Sequence, residues 1–260
     1  MTQGIHHITA IASSAAACVR FYTHILGLRL VKKSVNQDDV GTYHLFFGDR
    51  LGHPGMDLTF FIFLPPMIGK QGNGLVTNVS FAVPLEALSF WEKRFDTFGV
   101  IHGSLYEHFG AKRLPFEDGD GMHYELVGVA DNQVQDLDVW TMTDISKDTA
   151  IRHFYHASLS MPDRQLIEPL LTEVFGYTQT AKEGNVYEYR LPSQTRASQL
   201  EIIEDIQSPL GLMGAGTVHH IAFRAKDAKE QLSMREKIIT LGLMPTEVIN
   251  RFYFHTPILS

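Results

Sequence analysis

The sequence predicts an α+β fold made of four repeats of one strand–helix–strands module. An apolar strand, an amphipathic helix and a glycine recur four times at nearly constant spacing. The intervals are 20 residues from His7 to Gly27, 21 from Asn78 to Gly99, 20 from His156 to Gly176 and 22 from His220 to Gly242. A fixed period indicates repeated supersecondary units. Because one unit cannot bury its sheet face alone, we expect the modules to pair and to curl their sheets around a shared concavity.

The module boundaries follow from these repeats and from the strand-like runs after each glycine. We expect modules at residues 1–66, 74–130, 151–206 and 217–260, with a polar linker near 131–148. Hydrophobic periodicity predicts their helices. These helices are expected at 15–26, 85–98, 164–174 and 228–241. The fourth module is expected to be truncated, because the sequence stops at Ser260 without room for the strand that closes the other three.

Composition limits the classes of protein that fit. The 260 residues are 44% hydrophobic and 20% charged, which is typical of a globular protein. The net charge of -7 and the lack of a basic run argue against nucleic-acid binding. No apolar run approaches the ~18 residues of a membrane span and no signal segment is visible, so we expect a cytoplasmic protein without a membrane partner. The single cysteine, Cys18, excludes a disulfide framework or a cysteine-rich zinc motif.

Two histidine pairs lie at matching positions of the first and last modules. His6 and His7 interrupt one apolar strand, and His219 and His220 interrupt the other. Neighbouring side chains of a strand point to opposite faces, so one histidine of each pair can face inward. Imidazole is the commonest metal ligand among side chains. One such pair alone reads as ordinary polar residues at a strand edge, whereas its repetition favours a metal site.

A carboxylate belongs to the same pattern. The closing strands of the second and third modules carry Glu125 and Glu201 in matching apolar surroundings. By internal repetition, a glutamate is expected just beyond Ser260 in the fourth module. Two histidines and one carboxylate form the facial arrangement that leaves positions open for oxygen chemistry on iron(II).

These motifs together resemble a known family. They are GIHHIT at 4–9, FYTHILGL at 21–28, YHLFFGD at 43–49, GHPG at 52–55 and VHHIAF at 218–223. The sequence resembles the vicinal-oxygen-chelate superfamily, and within it the hydroquinone-type ring-cleaving dioxygenases, often described as glyoxalase family proteins. The resemblance implies βαβββ modules paired into two open β-barrel-like domains, modules 1 and 4 forming the metal-bearing one and modules 2 and 3 the other.

The resemblance also implies an activity and a set of site residues. It implies an Fe(II)-dependent oxidoreductase that cleaves hydroquinone- or catechol-like aromatic rings with O2, although Mn(II) or another divalent metal stays open. By position, His7 and His220 are the metal ligands. His6, Thr9 and His219 match catalytic positions beside these ligands, and Arg251 matches a basic residue near the substrate.

The other two modules carry their own set of donors at the matching positions. These are Asn78, Glu125, His156 and Glu201. They form either a second metal site or, as we expect, a hydrogen-bonded polar network that has lost its metal.

Two other functions use the same residues. A glyoxalase-type metal-dependent isomerase or lyase would need no oxygen. A non-catalytic protein that binds or sequesters a small aromatic compound would suit a chain without the third ligand. The sequence leaves the substrate and a homo-oligomeric state undecided.

Overall fold

The computed structural model describes residues 2–36, 39–130, 138–192 and 196–246, and the backbone of two short strands at 249–250 and 255–256. Fifteen strands lie in these ranges. They are β1 Ile5–Ile11, β2 Arg29–Val35, β3 Tyr43–Gly48, β4 Asp57–Ile62, β5 Val76–Pro84, β6 Tyr106–His108, β7 Ala111–Glu117, β8 His123–Val129, β9 His153–Met161, β10 Thr178–Glu183, β11 Val186–Arg190, β12 Gln199–Glu204, β13 Thr217–Phe223, β14 Ile249–Asn250 and β15 His255–Thr256.

Three α-helices and several shorter helical turns lie within the described ranges. The α-helices are α1 Ala15–Arg20, α2 Leu88–Phe98 and α3 Ala228–Thr240. The shorter turns are π-helical at Phe21–Ile25 and Leu170–Phe175 and 3₁₀-helical at Leu85–Ala87 and Arg164–Leu166. Within the described ranges, every helix is too short or too polar to cross a bilayer.

Local chemistry sets the helix ends. Ser14 and Asp227 cap α1 and α3, since their side chains accept hydrogen bonds from backbone N–H groups of the first turn. The helix expected at 164–174 is broken into two turns, because Pro169 precedes the second turn and has no N–H to donate. The helix expected at 15–26 changes from α to π after Arg20.

A five-stranded sheet joins the first module to the last, in the order β13-β1-β4-β3-β2. Strand β1 runs antiparallel to β13 and parallel to β4. Thr9 therefore lies opposite His220 on one side and Thr59 on the other. Directly opposed residues share a sheet face, so this register gathers side chains from three strands on one surface.

An eight-stranded sheet joins the second and third modules, in the order β10-β11-β12-β9-β5-β8-β7-β6. At its centre β5 is antiparallel to β9 and parallel to β8, which is the arrangement of β1 with β13 and β4 in the other sheet. The α+β class with curled, mixed sheets is confirmed.

One large apolar core packs against both sheets, and it includes the buried Trp91 and Phe81. Tyr22, from the first module, donates its hydroxyl hydrogen to Asp118 of the second at 2.6 Å. A smaller cluster, containing Val174 and Ile238, packs α3 on the helical turn of the third module. The core therefore holds together the two sheets that carry the candidate sites.

Gly216, directly before β13, tests how closely this strand is packed. It has φ +86, and a Cβ there would lie 2.2 Å from the carbonyl oxygen of Asp120. We expect Gly216→Ala to lower the free energy of unfolding by about 3 kcal/mol, from left-handed strain plus the clash. Gly99→Ala is the control, with φ +65 but open space around the new methyl group. Equal losses for both variants in urea denaturation would contradict the packing described.

His153, at the start of β9, predicts an acid-sensitive step in stability. Burial, with Arg196 and Arg152 nearby, lowers its pKa to about 4, although its bond with the Phe154 carbonyl acts in the opposite direction. Below about pH 6.5 the His153 ring is protonated in the unfolded chain but remains neutral in the native chain. The free energy of unfolding therefore falls as the pH drops from 6.5 to 4.

We expect the titration of His153 to lower the free energy of unfolding by up to about 3 kcal/mol between pH 6.5 and pH 4. The His153→Gln variant should lack this contribution. The exposed His123→Gln is the control. Denaturation curves at pH 7 and pH 4.5 whose difference is the same in wild type and His153→Gln would contradict the prediction.

Candidate metal centre

The two histidine pairs meet on the five-stranded sheet. The Nε2 atoms of His7 and His220 lie 3.2 Å apart, although 213 residues separate them in sequence. His7 is buried and His220 half-buried. The antiparallel register of β1 with β13 produces this approach.

His6 contacts the ring of His7, and His219 contacts the ring of His220, in each case between the two Nδ1 atoms. The Nδ1 atoms of His6 and His7 are 3.0 Å apart, and those of His219 and His220 are 2.8 Å apart. A neutral imidazole has one N–H and one bare nitrogen. If His7 and His220 each donate their Nδ1–H to the neighbour, both Nε2 lone pairs face the same point. Fixing the ring by a bond at its other nitrogen is how proteins orient metal-binding histidines.

The spacing of these nitrogens suits a metal ion. Two nitrogens 3.2 Å apart, each ~2.1 Å from one ion, subtend about 100° there, between octahedral and tetrahedral angles. The chain also brings ligand atoms of His6, His7 and Asp57 within 4.8 Å of one another. A His/Asp cluster that could hold a divalent ion is therefore present on this sheet.

Burial favours the ligating form of these rings. Burial is the largest cause that lowers the pKa of His7 well below its usual value, and the neighbouring His220, His6 and His44 lower it further. The ring is therefore neutral at physiological pH, with a lone pair available. Burial and the nearby Asp49 raise the pKa of Asp57 to about 7.

Thr9 begins a chain of hydroxyl groups beside the histidines. Its Oγ1 lies 3.1 Å from Nε2 of His220 and 2.7 Å from Oγ1 of Thr59. Thr59 in turn lies 2.9 Å from Nε2 of His44. Burial, with Lys32 and His219, lowers the pKa of His44 to about 4, so its ring too is neutral.

Aromatic rings border the same surface. The His44 ring lies 4.0 Å from that of Phe46 and 4.4 Å from that of Phe61. Phe61 also meets His219 edge-on at 5.3 Å. The face thus combines polar groups with aromatic side chains at its border.

Sequence reasoning found part of this set. The structure brings His6, His7, Thr9, His219 and His220 together, whereas Arg251 lies outside the described residues. Three members were missed: Asp57 and Thr59 on β4, and His44 on β3. The alternation Asp57-Leu58-Thr59 was the available signal, since it puts two polar side chains on one face of a predicted strand.

The eight-stranded sheet carries a second polar cluster, which contains all four expected donors. His156 Nε2 lies 3.2 Å from Glu201 Oε2 and 3.6 Å from Glu125 Oε2. Asn78 reaches it through Ser80, whose hydroxyl accepts from Asn78 Nδ2 at 3.0 Å. Ser80 Oγ is 3.0 Å from His156 Nε2 and donates to Glu125 Oε2 at 3.1 Å.

Sequence reasoning missed Arg113, the cation of this second cluster. Its Nη1 donates to Glu125 at 3.3 Å and its Nη2 to Glu201 at 2.7 Å, and the residue is 1% exposed. Burial alone would raise the pKa of Glu201, but His156 and Arg113 outweigh it and hold that pKa well below its usual range.

Comparison with known proteins identifies the family. The model of the Glyoxalase/Bleomycin resistance protein/Dioxygenase superfamily matches residues 4–63. MhqO of Bacillus subtilis, assigned as a ring-cleaving dioxygenase, is 39% identical over 98% of this chain and 80% of its own. The chlorohydroquinone/hydroquinone 1,2-dioxygenase of Sphingobium indicum is 30% identical over 92% of this chain and 76% of its own.

Solved structures agree. A crystal structure of a protein assigned as a dioxygenase from Bacillus subtilis superposes with a TM-score of 0.91 at 38% identity, over 98% of this chain and 80% of that one. Glyoxalase I from Zea mays shares the fold, with a TM-score of 0.67 at 14% identity over 93% of this chain and 82% of its own. At 39% identity over nearly all its residues, the chain belongs to the ring-cleaving dioxygenases of the glyoxalase/bleomycin resistance protein/dioxygenase superfamily.

Proposed function

We propose that the protein is a ferrous-iron-dependent dioxygenase that opens the ring of a hydroquinone- or catechol-like aromatic compound, with His7 and His220 as metal ligands. The observation that carries the proposal is the 3.2 Å approach of the two Nε2 atoms in a chain of this enzyme family. The hydroquinone class follows from the relative in Sphingobium indicum that is named for that activity.

Bound iron(II) would supply a single centre at which the aromatic hydroxyl and dioxygen are held together and exchange electrons. Two imidazoles are the nitrogen part of the two-histidine, one-carboxylate set that such chemistry uses. By internal repetition, the carboxylate of that set is the glutamate expected just beyond Ser260 in the fourth module.

The remaining side chains bind and orient the substrate. Phe46 and Phe61 contact the flat faces of a ring, while the central polar groups meet its hydroxyls. His6 and His219 act as positioning residues, because they accept Nδ1–H from the two ligands and so keep each Nε2 aimed inward. Arg251 stays a predicted anion-stabilising residue.

The hydroxyl groups beside the ligands orient the centre. Thr59 Oγ1 lies 2.7 Å from Thr9 Oγ1 and 2.9 Å from Nε2 of His44. Because burial lowers the pKa of His44 to about 4, its ring stays neutral and accepts a hydrogen bond from Thr59, which leaves the Thr59 oxygen to accept from Thr9. Thr59→Val would break this hydrogen-bonded chain without touching a ligand.

The decisive variants are His7→Ala and His220→Ala. We expect the wild type, loaded anaerobically, to bind one iron(II) per chain and to take up one O2 per hydroquinone. In either variant we expect the iron affinity and the rate of oxygen uptake each to fall about 10²-fold or more, because one imidazole cannot hold the ion alone. His24→Ala, an exposed histidine of the π-helical turn, is the matched control.

Metal analysis and an oxygen electrode give independent readouts. Full iron content in the His220→Ala variant would contradict the ligand assignment. Substrate consumption without oxygen uptake would contradict the dioxygenase proposal and favour a metal-dependent isomerase or lyase. A higher content of manganese than of iron after loading with equal amounts of Mn(II) and Fe(II) would identify Mn(II) as the metal.

A further inference from the structure

We propose that the guanidinium of Arg113 is the resident cation of the second cluster, in the place where a divalent ion would otherwise bind. Glu125, His156 and Glu201 are then a latent divalent-cation site that Arg113 keeps closed. This inference concerns the eight-stranded sheet and does not depend on the proposed activity.

Register places the donors of the second cluster at positions equivalent to the first. Thr9 on β1 lies opposite Thr59 on the parallel strand β4. Ser80 on β5 lies opposite Glu125 on the parallel strand β8. Both hydroxyls contact the opposite side chain, at 2.7 and 3.1 Å respectively. Glu125 therefore occupies the position of Thr59.

His156 occupies the position of His220 by the same comparison. Ser80 Oγ lies 3.0 Å from Nε2 of His156, as Thr9 Oγ1 lies 3.1 Å from Nε2 of His220. Each histidine is on a strand that runs antiparallel to the strand of its hydroxyl partner, β13 to β1 and β9 to β5. The second cluster thus presents an imidazole nitrogen where the candidate metal centre presents its ligand.

Arg113 occupies the position of His44. Arg113 lies opposite Val127 across β7 and β8, as His44 lies opposite Phe61 across β3 and β4. In the first sheet this position carries a neutral ring, and in the second a permanent positive charge.

The charges around the guanidinium require a cation. Glu125 and Glu201 are 8% and 4% exposed, and they bracket Arg113 at its two terminal nitrogens. Two buried carboxylates without a cation would be strongly unfavourable, so removing Arg113 leaves a site that attracts positive charge.

The donor atoms need little movement to ligate. His156 Nε2 is 3.2 Å from one carboxylate and 3.6 Å from the other, which is close to the separation of neighbouring ligands around one ion. The guanidinium stands between the two carboxylates and keeps them from converging. A cavity of about 540 Å³, lined by Asn78, Tyr106 and both glutamates, leads to the cluster and gives an ion access.

The test counts bound Mn²⁺ by equilibrium dialysis and by the electron paramagnetic resonance signal of the free ion. His7→Ala/His220→Ala serves as the background, so that the first sheet contributes no ion. We expect no bound Mn²⁺ in the background protein, one ion per chain after adding Arg113→Ala, and a Tm that rises with Mn²⁺ only in that variant.

Arg113→Lys is the matched control, because it retains the positive charge and should bind no ion. A folded Arg113→Ala protein without added Mn²⁺ affinity would overturn the proposal. Mn²⁺ binding by the background protein that is lost on adding Glu201→Gln would also overturn it. The ion would then bind at the second cluster with Arg113 still present.

A further variant decides the matter if Arg113→Ala alone does not fold. Adding Glu125→Gln and Glu201→Gln neutralises the cluster, and the proposal predicts that the triple variant recovers the Tm lost by Arg113→Ala and binds no Mn²⁺. A triple variant that remains unfolded, like the single one, would show that Arg113 acts through packing rather than as the cation.

Discussion

The antiparallel pairing of β1 with β13 is the constraint on which the candidate metal centre depends. It joins the first and last modules, brings two imidazole nitrogens to 3.2 Å, and places Thr9 opposite His220. Sheet registry is set by backbone hydrogen bonds and by which face is buried, and a slip of one residue would turn every side chain to the other face. The imidazoles of His7 and His220 are therefore positioned by the architecture of the whole sheet.

The two sheets use one scaffold in different ways. Each has a strand, β1 or β5, that is parallel to one neighbour and antiparallel to the other and carries a hydroxyl residue beside a histidine. In the first, neutral rings and hydroxyls leave lone pairs available. In the second, Arg113 already satisfies two carboxylates. A repeated module can thus hold a candidate metal centre in one sheet and a self-neutralised polar cluster in the other.

The sequence was sufficient for the α+β class and indicated the histidine pairs, because the glycine period and the apolar alternation are local signals. The module boundaries stay predictions. It also indicated Asn78, Glu125, His156 and Glu201 as one group, and the structure brings them to one cluster. The roles assigned to His6, Thr9 and His219 stay predictions.

It was insufficient for Thr59, His44 and Arg113, because their place depends on which strands pair and in which register. An arginine in a predicted strand, such as Arg113, is expected at the surface unless its buried partners Glu125 and Glu201 are known. The break in the helix expected at 164–174 was also missed. The apolar period alone predicts one continuous helix, whereas Pro169 has no N–H to donate and interrupts it.

Anomalous diffraction at the iron edge, on crystals loaded anaerobically with iron(II), tests the central claim most directly. The account predicts one strong peak on the five-stranded sheet, ~2.1 Å from Nε2 of both His7 and His220, and none beside Arg113. A peak bound instead through Nδ1 of His6 and His7 with Asp57, or one between Glu125 and Glu201, would contradict it.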